Sequence, residues 1–280
     1  MNTISGDLVA RCERIARNMR QSIIRMTYLS GDNGAHIGGS LSLVEILATL
    51  YGGVMRIDTK NPDWKLRDRL ILSKGHAAMA LYAALAEVDV IGKDDLETFK
   101  QDGGLLFGHP SLNGVPGIEF ASGSLGQGLS LAVGSSIALK MLNNNVAKVY
   151  VILGDGECDE GSIWEAALSA SHYALNNIIA IVDVNKLQYD GETNHIMSLT
   201  SLADKWRSFG WIVKCIDGHN IGELLSCCSC EFEKPMVILA DTIKGKGISF
   251  MEGNVAYHNA SLSNKLYELA MCELREENGF

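Results

Sequence analysis

Residues 149–153 read Val-Tyr-Val-Ile-Leu and run directly into Gly154-Asp155-Gly156, and a second run at 178–184 ends at Asn185. Continuous runs this short, rich in β-branched residues and closed by turn formers, read as strands buried on both faces, the pattern of a parallel sheet. The stretch between them has room for a crossover helix, so the pair forms a βαβ unit. Similar runs at 69–73, 211–216 and 235–241 read as further strands, and the first of the two extends over 147–153. Helical patterns precede or separate them at 7–29, 42–51, 76–87, 126–142 and 162–175. In the first of these, Leu8, Ile15, Met19, Ile23, Ile24 and Tyr28 recur at three-and-four spacing, and Ser40 or Ser42 is a plausible cap for the second. The expected fold is α/β: a doubly wound parallel sheet with helices on both faces, in one domain over 1–280.

In such a sheet ligands collect in the crevice outside the carboxyl ends of the strands, where Asp155 and Asn185 both fall. One offers a carboxylate oxygen and the other an amide oxygen, hard donors of the kind Mg2+ takes together with phosphate and water. Ca2+ or Mn2+ could substitute. Gly154 and Gly156 let the backbone turn closely around a ligand, and the Gly156 N–H is placed to meet an anion. The dinucleotide fingerprint fails because Asp159 stands where a third glycine is needed, and the chain has no phosphate loop ending in Gly-Lys-Ser/Thr. A Gly-Asp-Gly triplet is also ordinary turn chemistry, so the reading depends on its surroundings.

The formal net charge of −9 disfavours nonspecific nucleic-acid binding, which needs an excess of Lys and Arg. Met1 to Asp7 lack the basic and apolar regions of a secretory leader, and the apolar runs look far too short to span a bilayer. A cytoplasmic protein, with neither membrane nor nucleic acid as partner, is expected. With 29 glycines at turn-like junctions and only four prolines, no linker divides the chain. Cys227, Cys228 and Cys230 form the one cysteine cluster, without a second pair at zinc spacing, and read as reduced thiols.

Further segments give the triplet its context. Gly34-Ala35-His36-Ile37-Gly38-Gly39-Ser40, Leu72-Ser73-Lys74-Gly75-His76, Gly108-His109-Pro110, Ser122-Gly123-Ser124-Leu125-Gly126-Gln127-Gly128 and Thr242-Ile243-Lys244-Gly245-Lys246-Gly247 with His258 lie in this order. Collinear from about residue 30 to residue 260, they resemble the motifs of the transketolase family. The resemblance implies thiamine diphosphate as cofactor, held through a metal on Asp155, Asn185 and the backbone carbonyl of Leu187. It also implies cofactor contacts from Gly154, Gly156, Glu157, Gly123, Ser124, Leu125 and Lys244.

His36, His76, His109 and His258 correspond to catalytic-channel histidines of the family. His76 and His258 would reach the diphosphate or the donor's first hydroxyls, and His36 and His109 substrate oxygens. Imidazole suits these roles because it donates and accepts, and because its charge can change near neutral pH. Ser124 and Ile37 stand where the family carries proline. Glu160 and Glu165 favour the positive end of the following helix, and their family counterparts lie at the interface between two active sites. His172, in a helix, and His195 and His219, in loops, read as structural.

In the family the glutamate that activates the cofactor, and the groups that grip the aminopyrimidine and the substrate phosphate, come from a second domain. The resemblance therefore implies an amino-terminal subunit that works with a carboxyl-terminal subunit in an α2β2 assembly, moving a two-carbon ketol unit from a ketose, sugar or sugar phosphate, to an aldose. A deoxyxylulose-phosphate-synthase-like or dehydrogenase-like subunit, and a noncatalytic cofactor-binding relative, are the competing readings. The Ser-Lys-Gly-His, Gly-His-Pro and Gly-Ser-Leu-Gly-Gln-Gly segments fit transketolase better, and together Asp155, Asn185 and the four histidines speak against a noncatalytic role.

Overall fold

A computed structural model describes residues 4–276. The first three residues of the expected leader-free start, and 277–280 at the other end of the expected domain, lie outside the described residues.

Ten α-helices and five strands alternate along the described chain. In order they are α1 (Gly6–Leu29), α2 (Ile37–Leu41), α3 (Val44–Thr49), β1 (Arg69–Leu72), α4 (Ala78–Glu87), α5 (Gln127–Met141), β2 (Val149–Gly154), α6 (Gly161–His172), β3 (Ile178–Val184), α7 (Thr193–Ile196), α8 (Leu202–Ser208), β4 (Ile212–Asp217), α9 (Ile221–Cys228), β5 (Met236–Asp241) and α10 (Asn264–Glu276). The strands form one sheet in the order β1-β2-β3-β5-β4, and every neighbouring pair is parallel.

Period-two alternation sends the strand side chains to two separate cores. Tyr150, Ile152, Ile179, Ile181 and Ile238 join Met19, Ile23, Leu47 and Leu81 on one face, so α1, α3 and α4 cover it. Val149, Val151, Leu153, Ala180 and Val182 join Leu129, Val133, Ile163 and Ala167 on the other, beneath α5 and α6. Each such aliphatic side chain contributes about 1.5–3 kcal/mol when withdrawn from water, which is why both faces need a helical layer. The expected doubly wound sheet is the one observed.

Four local expectations change. No single helix spans 42–51. The chain enters helix already at Ile37, breaks after Leu41, resumes as α3 and ends in a wider turn at Leu50–Val54. Gly38-Gly39 is poor helix material, which hid α2, but packing demands small residues there: a Cβ on Gly38 would lie 2.8 Å from the Tyr257 carbonyl oxygen. His36 is thus the residue just before α2, and neither serine caps a helix at its amino end, although Ser42 closes α2. Ser40 Oγ donates to the His36 carbonyl (2.9 Å) and Ser42 Oγ to the Asp183 carboxylate (2.7 Å).

His195 lies in the one-turn helix α7 and His172 closes α6. The stretch Ile37–Val54 is in fact long and apolar enough to cross a membrane, contrary to the expectation that every apolar run is too short, and nearly all of it is buried in the sheet-covering layer. All seven cysteines are free thiols.

Candidate active site

The carboxyl ends of β1, β2, β3 and β5 converge on one cleft of about 270 Å³, lined by His36, Lys74, His76, His109, Gly123, Leu125, Asp155, Asn185, Leu187, Tyr189, Lys244 and His258 among others. Nearly every residue singled out from the sequence is therefore brought together. The exceptions are Ser124, which faces an adjoining open groove, and Glu160 and Glu165, which are exposed on and just before α6.

Asp155 follows β2 and is buried. Its Oδ1 accepts the Gly156 N–H (2.9 Å), and its Oδ2 accepts the Lys186 N–H (2.7 Å) and the Thr193 hydroxyl (3.2 Å). The Gly156 N–H, expected to face an anion, thus holds the neighbouring carboxylate. Burial, reinforced by the nearby charge of Asp183, raises the Asp155 carboxyl above its ordinary range. Among the described residues no lysine or arginine pairs with it: the Lys74 ammonium is engaged by Asp183 and that of Lys244 by Leu187 and His258. A buried carboxylate that no protein cation neutralises suits a divalent ion.

Asn185, after β3, completes the oxygen set in a defined sense. Its Nδ2 donates to Asp183 Oδ2 (2.9 Å), which fixes which side of the amide is oxygen. Oδ1 accepts the Leu187 N–H (3.1 Å), and the Leu187 carbonyl accepts Lys244 Nζ (2.8 Å). Among the described residues no three His, Cys, Asp or Glu side chains cluster at ligand spacing. A cation here would rest on Asp155, Asn185 and a carbonyl, with the remaining positions open to phosphate and water, an arrangement that fits Mg2+.

Beneath this layer lies a buried hub that the sequence reading did not identify. Asp183, fully buried, pairs with Lys74 and accepts from Ser42, Thr242 and Asn185. Although burial opposes the charged form, these partners hold its carboxyl below the ordinary range. The signal was an aspartate inside the apolar run of β3, the one charge in it, where a buried charge requires a partner. Glu157 lines the cleft, but its carboxylate is engaged by protein: it accepts the Ser73 hydroxyl and the Gly126 N–H (2.9 Å) on Oε1 and the Gly154 N–H (3.0 Å) on Oε2. It ties the ends of β1 and β2 to the start of α5.

Four histidines form the wall of the cleft. His36 lies 5.4 Å from His76, 5.7 Å from His109 and 5.5 Å from His258, ring centre to ring centre, and His76 stacks 5.5 Å from His258. Tyr189, exposed on the loop after β3 and absent from the sequence reading, sets its ring edge-on to His258 at 5.1 Å. Burial lowers the pKa of His36 to about 4 and that of His258 to about 3, with neighbouring charges adding to it, and it lowers His76 and His109 as well. The expected change of charge near neutral pH is therefore absent in this state, because burial beside Lys74, Lys100 and Lys244 disfavours imidazolium. The rings are neutral donors and acceptors. Lys244, buried rather than solvated, has its pKa lowered to about 8 by burial and by Lys74, and it donates to His258 Nδ1 (2.8 Å).

Residues 14–280 match the family described as transketolase, thiamine diphosphate binding domain; the chain belongs to that family. Among curated proteins it is similar to a 6-deoxy-6-sulfo-D-fructose transketolase subunit of Clostridium sp. (strain MSTE9), 48% identical over 86% of this chain and 89% of the relative. It is also similar to an apulose-4-phosphate transketolase subunit of Actinobacillus succinogenes, 41% identical over 95% of this chain and 96% of the relative. Human transketolase is 35% identical over 92% of this chain, but the match spans 41% of the human protein. The Campylobacter jejuni transketolase structure superposes with a TM-score of 0.86 at 28% identity, over 99% of this chain and 43% of that one.

Proposed function

We propose that this chain is the diphosphate-binding subunit of a two-chain, Mg2+-dependent transketolase that works in the cytoplasm with a carboxyl-terminal subunit, in an α2β2 assembly, on sugar or sugar-phosphate substrates. The observation that carries the proposal is the meeting of an unpaired buried carboxylate, an oriented amide oxygen and four neutral histidines in one cleft. Bound thiamine diphosphate supplies the carbon nucleophile that takes a two-carbon ketol unit from a ketose and delivers it to an aldose.

The chain's own residues hold and orient. Asp155, Asn185 and the Leu187 carbonyl hold the cation, and Lys244 offers its ammonium to the diphosphate. Gly123 and Leu125 border the place of the cofactor's ring. His36, His76, His109 and His258 face the substrate hydroxyls, where neutral imidazole can pass a proton in either direction. Two relatives are named for sugars bearing an anionic group, one sulfo and one phosphate. Lys100, whose ammonium donates to the Gly34 carbonyl (2.7 Å) beside His36 and His109, gives this channel a cation suited to such a group.

The test mixes purified chain with its partner subunit, Mg2+, thiamine diphosphate and a ketose phosphate. Turnover is expected only from the mixture, and turnover by this chain alone would sink the two-chain reading. Asp155→Ala is expected to abolish Mg2+-dependent cofactor binding measured by calorimetry, and unchanged binding would sink the site assignment.

A further inference from the structure

His219 lies between β4 and α9, outside the cleft, in a ring environment that the proposed function leaves unused. Its Nε2 accepts the Ile243 backbone N–H at 2.9 Å, and its Nδ1 lies 2.8 Å from Glu45 Oε2. A backbone N–H can only donate, so Nε2 is the bare nitrogen and Nδ1 carries the proton given to Glu45. Glu45, buried on α3, also pairs with Arg20 of α1, and Arg20 Nε donates to the Lys246 carbonyl (3.3 Å). Loop 242–247 is therefore pinned from behind at two points, the Ile243 N–H and the Lys246 carbonyl. Between the pins stands Lys244, which reaches the opposite way to the Leu187 carbonyl and to His258.

We infer that His219 is a positioning residue for the cofactor site: by holding the Ile243 N–H against the rigid Glu45–Arg20 pair it sets the distance of Lys244 from Leu187 and His258. This rests on the reading that those atoms hold the diphosphate and its cation. The side chain must accept at one end and donate at the other, with little of it exposed (14%), so a volume match alone does not replace it. Glutamine keeps both functions in its amide, phenylalanine keeps only the ring, and alanine keeps neither.

The experiment uses the full chain assembled with its partner subunit. It measures hydrogen exchange of 242–247 and titrates Mg2+ with thiamine diphosphate by calorimetry. In His219→Ala and His219→Phe the loop amides are expected to exchange faster and the cofactor Kd to rise about tenfold, the scale of losing a group that orients a metal or anion ligand. Far-UV circular dichroism, and the donor KM at saturating cofactor, are expected to stay as in the unsubstituted protein. His219→Gln restores both the exchange protection and the Kd.

Unchanged loop exchange in the alanine and phenylalanine variants overturns the inference, as does faster exchange with an unchanged cofactor Kd. A glutamine variant as weak as alanine also overturns it, because the effect would then be one of packing. Absence of cofactor binding by the unsubstituted assembly overturns the proposed function itself, and is told apart by that control.

Discussion

His36 lies within 6 Å of each of three other histidine rings; charged, they would repel, and burial keeps them neutral. For His36 the consequence has a definite sign. Its pKa falls from the ordinary 6.5 to about 4 in the fold, so between these values the unfolded chain binds a proton that the folded chain resists. The stability that depends on neutral His36 is complete above pH 6.5 and is lost as the pH falls toward 4. Thermal melts between pH 7 and 4.5 should fall more steeply for the unsubstituted chain than for His36→Asn, and parallel curves would contradict the assignment. At this scale the sequence showed which side chains meet in the cleft, because they sit in spaced motifs with glycine. It did not show that Lys74 and Asp183 support them, since a buried ion pair joins residues 109 positions apart and leaves no local pattern. Nor could it show that Gly156 and Glu157 turn their polar groups to protein partners, a matter of which neighbour the fold brings closest.

The turn that joins the groove to α5 depends on one residue's backbone freedom. Gly126 stands just before α5 with φ of +84°, its N–H donates to Glu157, and a Cβ there would lie 2.5 Å from Ser162 Oγ and 2.8 Å from Glu160 Cβ. Gly126→Ala is expected to destabilise the fold by about 1–3 kcal/mol, read from urea unfolding, because it adds a left-handed strain to a collision. A variant as stable as the parent would show that the turn can relax. Elements were legible in proportion to how far local pattern decided them. Strands β1, β2, β3 and β5 announced themselves because nearly all their side chains are buried on one face or the other, whereas edge strand β4 leaves Lys214, Cys215 and Asp217 exposed; α1 was legible because Ile15, Met19, Ile23 and Met26 face a single core. The one-turn helix α2 was not legible, since its glycines argue against helix and only the packing against Tyr257 and Lys244 makes them fit.

At the scale of the whole molecule, the chain spans about two-fifths of the full-length transketolases it matches, while relatives of its own length are named as subunits. Its outer surface agrees with a life in contact with another chain. On α6, Glu165 and Leu168 are exposed on one face, with Glu160 just before it, and Leu168 is 60% exposed. Leu125, at the rim of the cleft, is 37% exposed. Leu168→Arg is expected to leave the subunit's own unfolding within about 0.5 kcal/mol of the parent, as for a surface position. It should weaken assembly with the partner subunit by roughly tenfold or more in sedimentation, as for a central contact residue. Normal assembly would place the interface elsewhere.

The proposed cation site would oppose a single carboxylate, Asp155, to a divalent ion, with an amide at Asn185 where a second carboxylate could have stood. On a chain of net charge −9, this would leave a metal there one unit of positive charge that Asp155 does not cancel, and a diphosphate is what could use it. By that arithmetic a bare ion would be held loosely, and the ion with its anion well. Asn185→Asp would remove the amide hydrogen that Asp183 accepts and set two buried carboxylates together, so it is expected to weaken Mg2+-dependent cofactor binding on the order of tenfold, read by calorimetry.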